Sequence, residues 1–297
     1  MADAETASGA RRPGPHRPGS AARAKRCIGY VFASFALVAL ALGPLLLSLA
    51  YLHPLPAICA VTGAIVVVVL HPWLLPGGRG RRWRATLGMR PIDGPTIPWL
   101  AAAVLLFQGY QWVSPMLRAR LTQALPPPHP PYAYAADPFG WLVVPLTVAL
   151  LSPLAEELAL RGYLQHKLGR VAGKAIALGV TSCVFGFLHG SIVLVPFFVF
   201  AGLVFGCALL AFRSIWAPVL MHLVANGLGQ IPATAGVPPA LERISEGSWP
   251  WILTVACGSG ALLFLYAGYR ARLAAGRRAR ETLAARSSAR LRSQQPA

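Results

Sequence analysis

The segment that decides the fold is residues 145–162, PLTVALLSPLAEELALRG, in which Glu156, Glu157 and Arg161 interrupt an apolar run. Each charge near the centre of a bilayer costs about 2.5 to 3.5 kcal/mol on insertion scales, so three of them require a specific role. Glu157 and Arg161 are four residues apart and share a helix face, where they can pair. Glu156 lies about 100° around the helix from Glu157 and has no such partner in its own helix. We therefore expect Glu157 and Arg161 to hold each other in place and Glu156 to be free for a reaction.

The composition of the whole chain excludes an ordinary soluble enzyme. Of its 297 residues, 56% are hydrophobic and only 12% are charged, whereas charged residues make up about a quarter of a typical soluble domain. Long apolar stretches alternate with short basic clusters, as in polytopic helical membrane proteins. The formal net charge is +18, but the basic residues crowd into the two tails and one loop, so we interpret them as topology signals and expect no nucleic-acid partner.

Eight apolar spans are each near the ~17 to 25 residues that a bilayer core requires. They predict an all-α polytopic membrane protein of about eight transmembrane helices, with the charged segment in the fourth. The helical bundle is predicted at 27–269, between a disordered basic cytoplasmic tail at 1–26 and a basic cytoplasmic tail at 270–297. The spans are 27–51, 56–75, 96–117, 139–161, 174–190, 192–212, 215–232 and 250–269.

The distribution of basic residues predicts the orientation of the bundle. If the N-terminus is cytoplasmic, 23 of the 27 lysines and arginines lie on the cytoplasmic side, in agreement with the positive-inside rule. Both termini are then cytoplasmic. We expect an integral protein of a bacterial inner membrane, with the lipid bilayer as its surroundings and no obligate soluble partner.

Two further spans carry isolated polar groups at helical spacing. Phe185 and His189 are four residues apart in the fifth span, and His222 and Asn226 are four apart in the seventh. With ~1.5 Å of rise per residue, His189, His222, Asn226 and Glu156 all lie roughly 12 to 22 Å from the cytoplasmic turns. Side chains on three separate helices are therefore predicted to meet at similar depth.

The order of these motifs resembles a known family. Glu-Glu-x-x-x-Arg at 156–161, Phe-x-x-x-His at 185–189 and His-x-x-x-Asn at 222–226 are similar to the three-motif signature of the CPBP intramembrane proteases. This family includes type II CAAX prenyl endopeptidases and bacteriocin-processing, abortive-infection and protein-sorting relatives. The resemblance covers about residues 139–232. One departure is Leu160, since the family usually carries a bulky aromatic residue ahead of the arginine.

The resemblance implies an intramembrane endopeptidase whose site lies on the fourth, fifth and seventh helices. Its substrate would be a membrane-anchored or C-terminally modified protein, such as a CAAX-type or sorting tail. In this hypothesis Glu156 and His189 polarise a water for attack on a peptide carbonyl. His222 and Asn226 donate hydrogen bonds to the oxyanion that forms, and Glu157 and Arg161 support the site.

Two alternatives stay open. Glu156, His189 and His222 could instead bind zinc, because carboxylate and imidazole ligands with an open water position suit catalytic zinc. No HExxH motif is present, so we favour a site without a metal or another cofactor. The other alternative is a non-catalytic membrane protein, such as a proton-coupled transporter or an assembly or immunity factor, that uses the same buried ionisable groups.

The eight-helix topology predicts that a reporter fused after Ala297 reads as cytoplasmic. The measurement is paired fusions to a cytoplasm-active and a periplasm-active reporter, with matched fusions in the predicted outer loop at 126–134 as the opposite control. A periplasmic C-terminus would require an odd number of spans or an inverted bundle.

Overall fold

The computed structural model describes residues 20–33, 84–121, 146–189, 194–229 and 248–293, together with Ile192. Every regular element in this part of the chain is helical, which confirms the predicted all-α class there. The predicted second span and most of the first lie outside the described residues. The helices are α1 (20–33), α2 (Ile97–Leu121), α3 (146–171), α4 (Lys174–Leu188), α5 (Val195–Phe212), α6 (Trp216–Gly229) and α7 (Trp249–Ser293).

Among the described residues, two helices are long and apolar enough to cross a membrane. They contain the spans Val195–Phe212 and Trp249–Ser288, and the shorter apolar helices are Lys174–Leu188 and Trp216–Leu228. Helix α2 has sufficient length, but Gln108 and Gln111 lower its mean hydropathy. The helical positions agree with the third to eighth predicted spans, while the number of helices that cross a membrane stays a prediction.

Helix α3 is continuous but changes its winding along its length. A π-helical stretch at Leu146–Leu151 is followed by α-helix at Ser152–Glu157, a second π-helical stretch at Leu158–Gln165 and a final α-helical turn at His166–Val171. Proline removes a backbone donor and its ring collides with the carbonyl four residues earlier. Pro153 is the second residue after the first π-helical stretch, and the carbonyl four residues before it lies within that stretch, so the wide turn lies where the proline disfavours a regular helix. Wide turns of this kind are frequent at functional sites.

Small residues allow α2 and α7 to pack closely. A Cβ atom built on Gly109 would lie 2.9 Å from Sγ of Cys257, and one built on Gly260 would lie 3.0 Å from Cδ1 of Leu106. Because lipid tails are as apolar as leucine, membrane helices associate through such close contact more than through hydrophobic exclusion. This pair of helices forms one wall of the bundle, against which α5 and α6 also pack.

Three segments that the topology places in the cytoplasm meet at one end of the bundle. The backbone N–H of Ile215, in the turn between α5 and α6, donates to the carbonyl of Gly88 at 2.9 Å. Arg272 on α7 donates to the carbonyl of Ala211 at 2.7 Å. Arg213 ends α5 in the left-handed region, with φ of 53°, which makes this turn tight. The contacts are those expected if the three segments share one membrane face.

Two predicted boundaries differ from the structure. Helix α1 begins at residue 20, within the segment 1–26 that we predict as a disordered tail, and residues 1–19 lie outside the described residues. Helix α7 continues from the eighth span through the basic tail to Ser293. Its 45 residues correspond to about 67 Å of helix, about twice the thickness of the hydrocarbon core. Alanine and arginine are good helix formers, which accounts for the continuation beyond the apolar part.

Candidate active site

Glu157 connects α3 to α6 through a side-chain hydrogen bond. Its Oε1 atom accepts a hydrogen bond from Nη1 of Arg161 at 3.0 Å and another from Nδ1 of His222 on α6 at 2.9 Å. The side chains of Glu157 and Arg161 are completely buried. The ion pair expected from their spacing is therefore present, and it includes His222, which the sequence had suggested as a partner of the substrate.

Arg161 also bonds to a third helix. Its Nη2 atom donates to the backbone carbonyl of Gly202 on α5 at 2.9 Å, and one turn further along α3 Gln165 donates to the carbonyl of Gly206 at 3.2 Å. The guanidinium lies 4.7 Å from the centre of the Phe185 ring, a distance suited to a cation–π interaction. Two side chains four residues apart on α3 thus meet two carbonyls four residues apart on α5.

The glycines at these positions also allow α4 and α5 to approach. A Cβ atom on Gly206 would lie 2.4 Å from Cδ1 of Leu178, and one on Gly202 would lie 3.0 Å from Cα of Ser182. Gly202 and Gly206 form a GxxxG pattern, which here serves close packing of two helices. Sequence reasoning did not find that Arg161 and Gln165 bond to the glycine carbonyls. The available signal was the position of Gln165, four residues after Arg161.

His222 is held between aromatic rings. Its imidazole stacks on Phe205 at 4.5 Å between ring centres and meets Phe185 edge-on at 5.5 Å. If Glu157 is ionised, its carboxylate can only accept, so the bond between Glu157 and His222 requires a proton on Nδ1 of the histidine. Nε2 then carries a lone pair in the neutral ring and a second proton in the charged ring. His222 can donate to an oxyanion through Nε2 only in the charged form.

His189 is positioned by the end of α4, since it is the residue that directly follows the helix. Its Nδ1 atom lies 2.8 Å from the carbonyl oxygen of Phe185, and its ring stacks on Phe198 of α5 at 3.8 Å. A carbonyl only accepts hydrogen bonds, so Nδ1 carries the proton and Nε2 carries a lone pair in the neutral ring. The residue is exposed. This arrangement leaves Nε2 able to accept a proton or bind a ligand.

Glu156 is buried, with 7% of its surface exposed, and it has a partner that sequence reasoning missed. Oε1 accepts a hydrogen bond from the hydroxyl of Ser152 at 2.6 Å. Glu156 therefore has a hydrogen-bond partner four residues earlier in its own helix, but unlike Arg161 this partner carries no charge. Oε2 is buried and has no hydrogen-bond partner among the described residues. Arg161 and His189 are nearby ionisable neighbours of Glu156.

The structure brings the predicted groups into one region through Phe185. The ring of this residue contacts those of His189 and His222, and it lies beneath Arg161. Asn226 is half-buried on α6, four residues after His222. Arg161 of α3, His189 at the end of α4 and His222 of α6 therefore meet around Phe185.

The described residues contain no group of three or more His, Cys, Asp or Glu side chains that could hold a metal ion. Glu156, His189 and His222, the alternative zinc set, do not form such a group in this conformation. In addition, Nδ1 of each histidine is engaged with an oxygen atom, so Nε2 would be the atom through which either could bind a metal. Metal dependence stays a prediction.

Buried carboxylates beside two histidines in an apolar helical bundle mark a candidate functional site. Residues 138–228 match the model of a family described as type II CAAX prenyl endopeptidase Rce1-like. The matched region contains all three motifs, and the resemblance to CPBP proteases is confirmed there. This region of the chain is thus similar to a protease family, and that similarity together with the apolar helices suggests a membrane protein. Neither the curated proteins nor the solved structures compared with the chain gave a significant match.

We predict that Glu157→Gln lowers both stability and activity. The substitution leaves Arg161 buried without its counter-charge and weakens the bond to His222, so the expected loss is about 1 to 3 kcal/mol in the free energy of unfolding. The measurement is the melting temperature of the detergent-solubilised protein. Glu281→Gln removes an exposed charge on α7 and is the matched control, for which we expect no change. If Glu157→Gln melts at the same temperature as the wild type, Glu157 does not have the structural role that we assign to it.

Proposed function

We propose that the protein is an intramembrane endopeptidase in which Glu156 is the general base. The proposal rests on the different hydrogen bonding of its two carboxylate oxygens. One oxygen is occupied by Ser152, while Oε2 is buried without a partner among the described residues. A buried carboxylate oxygen without a donor is poorly solvated, and a water molecule that donates to it relieves that penalty. Glu156 is thus suited to bind and deprotonate the attacking water.

His189 supports the same step from the neighbouring helix. Because Nδ1 is bonded to the carbonyl of Phe185, Nε2 offers a lone pair to the second hydrogen of the water. As the water oxygen bonds to the peptide carbon, Glu156 takes its proton and the carbonyl oxygen becomes an oxyanion. The proton then passes from Glu156 to the leaving nitrogen, the C–N bond breaks and the carboxylate is restored. General base catalysis of this kind contributes about 10² to 10⁴ in rate.

Asn226 and His222 are the proposed donors to the oxyanion. The amide of Asn226 donates in every protonation state, whereas Nε2 of His222 donates only when the imidazole is charged. Because Nδ1 is bonded to the carboxylate of Glu157 at 2.9 Å, Nε2 is the ring nitrogen of His222 that can face the oxyanion. Removal of one oxyanion donor typically costs about 2.7 to 4 kcal/mol in the barrier.

The substrate class follows from the family match. A domain similar to type II CAAX prenyl endopeptidases suggests a membrane-anchored protein as substrate. We propose that the scissile bond lies in a lipidated C-terminus or a C-terminal sorting tail, because such a segment can reach a site between membrane helices without unfolding a soluble domain.

We predict that Glu156→Gln abolishes turnover with little change in melting temperature. The amide keeps the shape of the side chain and an oxygen for Ser152, but it cannot take a proton. The expected loss is at least about 10²-fold in kcat, measured on a membrane-anchored peptide in liposomes beside wild type and Glu281→Gln. Retention of near wild-type cleavage, or earlier melting of Glu156→Gln than of Glu157→Gln, would show that the roles of the two glutamates are wrongly assigned. The same comparison tests the transporter alternative, which predicts no cleavage by the wild type.

We also predict that exhaustive treatment with a strong zinc chelator leaves cleavage largely intact. The reason is that Glu156 and His189 together can polarise water without a Lewis acid. The measurement is activity before and after chelation, with the zinc content of the purified protein determined in parallel. Loss of activity that added zinc restores, with about one equivalent bound, would favour the zinc mechanism.

A further inference from the structure

Ser152 occupies a distinctive place beside the proposed base. It begins the α-helical part of α3, directly before Pro153, and its hydroxyl donates to Oε1 of Glu156 at 2.6 Å. The bond joins residues four apart on one helix, so no movement between helices is needed to form it. Neither the three motifs nor the family match assigns a role to this serine.

The choice of acceptor distinguishes Ser152 from other helical hydroxyls in this chain. Serine and threonine within helices commonly donate to the backbone carbonyl four residues earlier. Five of the described residues follow this pattern: Thr181, Ser182, Ser259, Thr282 and Ser288. Ser152 instead donates forward, to a carboxylate. A hydroxyl that only completed the helix would not require an acidic acceptor.

The bond has two consequences for Glu156. It occupies Oε1, so that Oε2 is the oxygen left for water, and it restricts rotation of the carboxylate about its terminal torsion. Arg161 on the same helix and His189 at the end of α4 are ionisable neighbours of Glu156, but it is the hydroxyl of Ser152 that bonds to its carboxylate.

We propose that Ser152 is a positioning residue that orients the carboxylate of Glu156 for the attack of water. The inference rests on the proposed function, since it assigns Ser152 a role through the general base. Ser152 does not contact the substrate in this scheme. Its removal should therefore reduce the rate of the chemical step without weakening substrate binding.

The test compares Ser152→Ala, Ser152→Thr and the control Ser182→Ala in full-length protein reconstituted in liposomes. Ser182 is also a buried helical serine, but its hydroxyl bonds only to the backbone. We expect Ser152→Ala to lower kcat by about 10- to 100-fold with KM unchanged, as for loss of a hydrogen bond to a charged group. Ser152→Thr keeps the hydroxyl and should restore most of kcat, and Ser182→Ala should resemble the wild type.

Several outcomes would overturn the proposal. They are a wild-type kcat for Ser152→Ala, a change in KM alone, or a fall in melting temperature and activity that Ser152→Thr does not restore. Glu156→Gln, measured in parallel, separates this failure from that of the proposed function. If Glu156→Gln is inactive while Ser152→Ala is normal, the base stands and the role of Ser152 is wrong. If Glu156→Gln is active, both proposals fail.

Discussion

Two hydrogen bonds to Oε1 of Glu157 connect α3 and α6, two of the helices that carry the candidate active site. Arg161 donates from the same helix and His222 donates from α6, in a region where both charged side chains are fully buried. Removing two charges from water costs several kcal/mol for each, which their attraction offsets only when further hydrogen bonds complete the site. The relative position of α3 and α6 is therefore coupled to the pairing of these groups.

The need to complete the hydrogen bonds of Arg161 explains the composition of α5. A backbone carbonyl within a helix can accept from a side chain only if the neighbouring residues leave room for it. Gly202 and Gly206 provide that room, and they also allow α4 to approach. The aromatic rings of Phe185 and Phe205 surround the guanidinium and limit the access of water, which strengthens the polar contacts among them.

Adjacent glutamates in one helix have acquired different environments. Glu157 points to Arg161 and His222, and its Oε1 is bonded twice. Glu156 is turned to Ser152 and keeps one oxygen without a partner among the described residues. Neighbouring residues on a helix point about 100° apart. One glutamate can therefore bond to the neighbouring helix while the next faces a different set of atoms. Identical side chains thereby become suited to a structural role and to a proposed catalytic one.

The helical class, the positions of six helices and the ion pair of Glu157 with Arg161 could all be predicted from the sequence. Each of these depends on composition or on spacing within one helix, which are local properties. The family resemblance likewise depended on the order of short motifs. Three contacts became visible only once the helices were packed: His222 bonds to Glu157, Gly202 accepts from Arg161, and Phe185 lies among the polar groups. These contacts depend on the rotation and depth of separate helices, which no periodicity encodes. Ser152 shows that even a contact within one helix can escape prediction from sequence. Its hydroxyl could reach either a backbone carbonyl or the carboxylate of Glu156, and the side-chain torsion selects between them.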